Sequence, residues 1–390
     1  DSDDDSDDDS DDGDDDADSD DSDNSDRPSP PQDQAVLGPT ISPATSTPDL
    51  VINDGAPQDK KKKKYDIDLS LRVVSGIRHR RRNPSAEQPA ETEKNSTDLR
   101  LRQVRVGVKA RYKRILSAKA SFDLADLLDQ PSGGKVIRDG WANVRVHRAF
   151  QIKVGQFKRP YSRLELRGVS KIPFVGRGLF NDTVVEDLGW GDRAVGGMVW
   201  GRIKPKSPGL HRLTWQVSAS NDVVADAPEG LDTHGRLQYE PTTWLSIGAG
   251  GAYKSVDDPL GERREVFGAG GDIALELGNI YAAIEANAAQ DWTFADQSPW
   301  GLGLVSYVSY DWKLGKRTTL QPVALFELVD ANLSFAESEA VRAVANINVL
   351  WTKHLRIMPQ VEFVQPLSPV TDFNPFVRTQ TYALWISVQL

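Results

Sequence analysis

Cysteine is missing altogether, 0 in 390 residues, so disulfides, thiol catalysis and thiolate metal sites are excluded. There is also no run of eighteen or more apolar residues, which excludes a helical membrane span. That absence leaves the membrane open, because a barrel strand crosses with about ten residues of alternating character and a weak hydropathy signal. Catalytic motifs are lacking as well. The five histidines (His79, His147, His211, His234 and His354) include no H-x-x-x-H pair, and no G-x-S-x-G elbow occurs. The one catalytic arrangement left open is a Ser, His and Asp constellation gathered from separate strands, since triads are matters of geometry. The chain starts on Asp1 with neither a Met nor a secretory segment, which reads as a mature form.

Basic residues are absent from the first 26 positions, "DSDDDSDDDSDDGDDDADSDDSDNSD", which hold 17 Asp. Residues 27-59 are rich in Pro, Ser and Thr and add four more Asp. The net charge of -10 therefore hides a change of sign: from Lys60 onward there are 46 Lys+Arg (47 less Arg27) against 36 Asp+Glu (57 less 21), a formal +10. Self-repulsion and the scarcity of apolar surface predict a disordered acidic tail and linker over 1-59. Its carboxylates suit Ca2+, although the EF-hand-like D-x-S-x-D-G run from Asp8 to Gly13 is followed by no Glu where such a loop needs one.

What fills the remainder, 60-390, is alternation. In "KKKKKYDIDLSLRVV", Tyr65, Ile67, Leu69, Leu71 and Val73 share one face, and Asp66, Asp68, Ser70 and Arg72 share the other. The same period of two predicts strands near 65-77, 98-112, 117-128, 137-146, 150-158, 191-203, 210-221, 232-240, 243-254, 264-277, 279-291, 300-312, 318-329, 339-351, 354-365 and 376-390. That is about sixteen, the even number expected of a single-chain transmembrane antiparallel β-barrel. Connections alternate too. "KRIL", "HRA", "KPKSPG", "PT", "GN", "KLGKR" and "TKH" are short, whereas the intervening ones, among them 78-97 and 159-190, are mostly long. Short turns at one rim and long loops at the other are a barrel trait that a soluble sandwich does not need. Aromatics at strand ends (Tyr112, Trp215, Tyr239, Trp244, Tyr253, Trp312, Trp351 and Tyr382) fit interfacial girdles. The terminal "TYALWISVQL", with Tyr382, Leu384, Ile386, Val388 and Leu390 in one phase, reads as the closing strand that pairs with the first.

The segments "IRDGWANV", "VGQFKRPYSRLEL" and "DRAVGGMVWG", within residues 137 to 203, resemble the phosphate-selective porin O/P family. The resemblance implies a trimeric, sixteen-stranded channel of a Gram-negative outer membrane, with its third external loop folded into the lumen and basic residues guiding anions. Here the third outer connection is 159-190. The implied partners are the bilayer and its lipopolysaccharide, small anions such as phosphate, and two further copies of the chain. No cofactor and no nucleic acid are expected.

Taking the apolar phase of each strand as lipid-facing assigns Arg72, Arg105, Lys109, Arg111, Arg145, Lys153, Arg212, Arg236 and Lys254 to a basic half of the pore wall. Asp272, Glu276, Glu285, Glu327 and Glu362 fall to an opposing half. The constriction loop adds Arg159, Arg163, Arg167, Lys171 and Arg177. Arginine and lysine rings replace part of an anion's hydration shell and so set selectivity. The expected function is passive diffusion of small solutes with a preference for anions, phosphate or polyphosphate among them. The alternative is a structural or adhesive barrel whose acidic tail binds Ca2+ or another envelope component.

Overall fold

The computed structural model describes residues 65–83, 94–125, 136–203, 211–221, 230–257, 260–294, 298–335, 338–352, 354–368 and 376–390. The acidic tail and linker expected over 1-59 lie outside the described residues.

Sixteen antiparallel strands close into one barrel. They are β1 (Tyr65–Asn83), β2 (Lys94–Tyr112), β3 (Leu116–Asp123), β4 (Ile137–His147), β5 (Phe150–Lys158), β6 (Arg193–Ile203), β7 (Arg212–Asn221) and β8 (Leu231–Glu240) in the first half. The second half comprises β9 (Leu245–Asp257), β10 (Arg263–Leu277), β11 (Ile280–Gln290), β12 (Trp300–Tyr310, continued by Trp312–Lys313), β13 (Thr318–Asp330), β14 (Glu339–Trp351), β15 (Leu355–Pro366) and β16 (Arg378–Gln389). Each strand pairs with its sequence neighbours, and β1 closes on β16 from Arg72↔Gln389 to Asn83↔Arg378. The last residue takes part in this closure: Leu390 donates its N–H to the Leu71 carbonyl at 2.9 Å and accepts from the Leu71 N–H at 3.2 Å. Closure leaves no unpaired edge, which a strand structure in hydrocarbon requires.

The outer face is apolar. Leu99, Ile67, Val146, Leu237, Ile347 and Leu384 are all exposed, and so extensive an apolar exterior belongs in lipid. Exposed Tyr65, Tyr112, Trp244, Trp312 and Trp351 ring the rim of short turns. Tyr239 and Tyr382 are exposed too, whereas Trp215 and Tyr253 are half-buried.

The first hairpin departs from the sequence expectation. Instead of ending at 77, β1 continues to Asn83 against a β2 that begins at Lys94. A bulge opposite Val74 and Ser75 places an extra residue, Arg102, in β2, while β1 alternates without interruption against β16. Arg78, Arg80 and Arg82 thereby extend the inward column of Arg72, while Ile77, His79 and Arg81 take the outward phase.

Candidate functional site

The long connection between β5 and β6 runs from Arg159 to Asp192 and folds into the barrel. It carries one turn of helix, α1 (Arg163–Leu166), a 3-10 turn (Val169–Lys171) and a π-helical turn (Asn181–Glu186). Two apolar clusters seat it on the wall. Tyr161, Phe180, Val184, Val185, Leu188 and Trp190 pack with Val256, Val266 and Val329. Leu164, Ile172 and Phe174 pack with Val305, Tyr307, Val323, Leu325 and Val344. Part of the inward phase of β12 to β14 is therefore apolar as well as the outward one, because the loop shields it from water. Wall glycine makes room for the loop: a Cβ on Gly303 would lie 2.3 Å from the Phe180 ring.

Wall carboxylates fix the loop at helix starts. Ser162 caps α1 by accepting the Glu165 N–H at 3.0 Å. The earlier amides of that turn go to the wall, where Glu285 accepts the N–H of Arg163 at 2.9 Å and of Leu164 at 2.8 Å. Glu327 repeats the arrangement, accepting the Leu179 and Phe180 N–H groups, each at 3.0 Å, at the head of the π-helical turn. Both sites use the orphan donors and positive end of a helical turn, where a carboxylate is favoured. Gly178 permits the second contact: its φ is +129°, and a Cβ there would lie 2.7 Å from both Glu327 oxygens.

Several of the basic residues singled out in the sequence also hold the loop. Arg159 bonds Asp232 at 2.8 Å and the Gly191 carbonyl at 2.7 Å, which ties the loop neck. Arg163 reaches Asp272 and Ser246, each at 3.0 Å, and Arg236 pairs with the same Asp272. Lys254 donates to the carbonyls of Leu188 (3.0 Å) and Gly189 (3.2 Å). Arg167 lies 3.8 Å above the Tyr281 ring. Lys171 is exposed on the loop. Lys153 points inward but sits in an aromatic cage, 4.6 Å from the Trp141 centroid and 5.6 Å from that of Trp200.

Within the loop, Arg177 lies 3.5 Å from Glu165 and 3.6 Å from Glu186. Burial pushes Glu165 upward, but Arg177 and Lys158 outweigh it and hold this carboxyl below its ordinary value. Glu186 goes the other way, raised well above its ordinary value by burial and then by the charge of Glu165.

The other sequence-derived positions lie closer to the rim of short turns. Arg72 bonds Ser387 at 3.4 Å, Arg105 pairs with Asp123 at 3.3 Å, and Arg111 meets Asp66 (3.2 Å) and Asp68 (3.0 Å). Lys109 is half-buried opposite Asp68 and Lys119. Arg145 contacts Gln151 at 3.5 Å, Arg212 pairs with Glu240, and Glu276 is exposed beside the β10–β11 turn.

Between the loop and the wall of β14, β15, β16, β1 and β2 remains a cavity of about 350 Å3. Arg78, Arg80, Arg82, Arg102 and Arg342 line it together with Asp182 and Glu362. Arg78, Arg80 and Arg82 escaped the sequence reading because the outward phase of β1 turns polar at His79 and Arg81, and Arg102 because it is the extra residue of the β2 bulge. The arginine repeat at 78, 80 and 82, in phase with Arg72, was the available signal. Among the described residues no group of three or more His, Asp or Glu is placed to hold a metal ion; the acidic tail considered for Ca2+ lies outside them.

A sixteen-stranded barrel narrowed by its third outer loop matches what residues 137 to 203 resemble, and residues 85–316 match the family model described as phosphate-selective porin O and P. The chain belongs to that family. It forms a channel across the outer membrane of a Gram-negative bacterium. A search of curated proteins returned no match.

Solved porins share the fold. The anion-selective porin from Comamonas acidovorans aligns over 84% of this chain and 100% of its own, with 10% identity and a TM-score of 0.59. OmpF of Salmonella typhi, solved with daunomycin, aligns over 84% and 98%, with 13% identity and a TM-score of 0.62. OmpT of Vibrio cholerae in its trimer form aligns over 84% and 100%, with 12% identity and a TM-score of 0.55.

Proposed function

We propose that this porin passes small solutes by diffusion with a preference for anions, phosphate among them, and that it works as a homotrimer. The carrying observation is the charge around the cavity beside the loop. Five guanidinium groups, of Arg78, Arg80, Arg82, Arg102 and Arg342, face two carboxylates, of Asp182 and Glu362. Neighbouring carboxylates offset part of this charge, since Arg342 pairs with Glu362 (2.9 Å) and Glu327 (3.3 Å) and Arg78 with Asp98 (3.2 Å), while Asp272 is held by Arg163 and Arg236 and Glu285 by loop amides. Five cations against Asp98, Asp182, Glu327 and Glu362 still leave the balance positive. A surplus of cations between low-dielectric walls raises the local concentration of anions. The trimer is carried by the shared architecture and by the trimer form of OmpT.

The reversal potential of the purified channel in a KCl gradient tests the preference. Chloride should carry most of the current at 0.1 M, where the Debye length is about 10 Å, and its share should fall at 1 M, where it is about 3 Å. A cation-selective or unselective channel at 0.1 M would overturn the reading.

A further inference from the structure

The cavity between loop and wall is two-sided. Four of its five arginines stand on β1 and β2, where Arg78, Arg80 and Arg82 occupy successive inward positions about 6.6 Å apart, Arg78 paired with Asp98 at 3.2 Å, and Arg102 lies 5.4 Å above the Trp385 ring. The fifth, Arg342 of β14, pairs with Glu362 at 2.9 Å and Glu327 at 3.3 Å. Beside them, β15, β16, the loop and the chain leading into β16 contribute Val175, Leu179, Val364, Phe376, Ala383 and Trp385. The two columns are in register: Arg78 pairs with Ala383, Arg80 with Thr381 and Arg82 with Thr379. The row of guanidiniums thus runs along Thr379, Thr381 and Ala383, with Val175, Val364 and Phe376 as apolar groups in the same lining.

We propose that this cavity is a binding station for organic monoanions that carry a compact apolar body, aromatic carboxylates above all. The inference rests on the anion preference proposed above and narrows it to a chemical class. Four features point there.

An amphiphilic anion can turn its carboxylate to the arginine row, where planar forks accept it bidentately, and lay its ring on Phe376, Val364 and Val175. An inorganic phosphate has no apolar end to place, so entry costs it hydration that the apolar side does not replace. Asp182 and Glu362 sharpen the difference, since both line the same space. A group charged on every side meets them, whereas a carboxylate with a neutral body points its charge away. The stacked Arg102 and Trp385 pair supplies a flat surface of the kind that aromatic rings prefer. The volume, about 350 Å3, lies in the range of small-ligand sites.

Current block in planar bilayers tests the proposal, with potassium benzoate, acetate and phosphate added at equal ionic strength to the full-length channel. Benzoate should halve the chloride current at a concentration about tenfold lower than acetate or phosphate, the worth of partly burying a phenyl ring. Val364→Thr, which exchanges a methyl for a hydroxyl in the cavity, should cut the advantage of benzoate over acetate by about threefold to fourfold. The reversal potential in KCl alone, recorded on the same channels, separates the two readings. Anion selectivity with benzoate no better than acetate, or with phosphate the strongest blocker, overturns the organic-anion station and leaves the anion porin standing. Cation selectivity overturns the anion porin itself.

Discussion

Glu285 holds Arg163 by its main chain: the wall carboxylate accepts the Arg163 N–H at 2.9 Å, 122 positions away along the sequence. Together with Glu327 and the amides of Leu179 and Phe180, this contact decides how far the loop stands from the opposite wall.

Replacing Glu285 or Glu327 by Gln should therefore loosen the loop. Each hydrogen bond to a charged group is worth about 1.5–3 kcal/mol, and a glutamine oxygen replaces only part of that. Single-channel recordings should show noisier open levels in E285Q and E327Q. Proteolysis should cut within 159–192 faster in the double variant than in either single one. Quiet channels and an uncut loop in E285Q/E327Q would show that apolar packing alone positions the segment.

Acidity acts on the loop through two carboxyls that shift in opposite directions. Glu186, raised by burial and by Glu165, binds its proton more tightly in the folded protein. Its contribution is full below the ordinary carboxylate value of 4.5 and is lost as pH rises toward the raised one. Glu165 is held low despite burial by Arg177 and Lys158, so its contribution is present above 4.5 and is lost as pH falls through the lowered value. Asp182, Asp192 and Asn181 complete the surroundings of the pair. Loop protection against protease should thus peak in mild acid and decline toward alkaline pH. Glu186→Gln should flatten the alkaline decline and leave the acid limb in place. An unchanged profile in E186Q would assign the alkaline decline to other groups.

Two inward basic residues should behave in opposite ways. Arg80 lines the cavity, so Arg80→Glu should move the reversal potential toward the cation side at 0.1 M salt, with the shift shrinking in concentrated salt. Lys153 lies within its cage of Trp141, Trp200 and Phe157. Lys153→Met should lower heat stability by about 0.5–2 kcal/mol, the range of cation–π contacts, and leave the reversal potential where it was. A selectivity change in K153M equal to that in R80E would place both in the conduction path.

The barrel itself was legible because lipid outside and water inside impose a period of two on every strand. The segment 150-158 shows this well, since its alternating Phe150, Ile152 and Val154 coincide with β5 as found. The phase of Tyr382 to Leu390 likewise faces outward in β16. The seat of the loop was harder to see. Val305, Tyr307, Val323, Leu325 and Val344 face inward, so strands such as "PVALFELV" are apolar in both phases, the sign of an element covered on two sides. The partners of Arg159, Arg163 and Lys254 were not legible, because they depend on the path of a loop whose contacts lie up to 109 positions away. The end of β1 was misjudged for a local reason: His79 and Arg81 interrupt its apolar phase while the strand goes on.

Because Glu285 and Glu327 take hold of amide groups, the attachment is indifferent to which side chains Arg163, Leu164, Leu179 and Phe180 carry. At Leu179, which lines the cavity, a substitution can alter the face shown to passing solutes while this contact persists, whereas Leu164 and Phe180 are held also by their apolar packing and Arg163 by Asp272 and Ser246. Proline is the exception, since it has no N–H to give. Permeation and anchorage are in this way mutable one at a time, and a new solute range can be reached without first relearning how to fold the constriction.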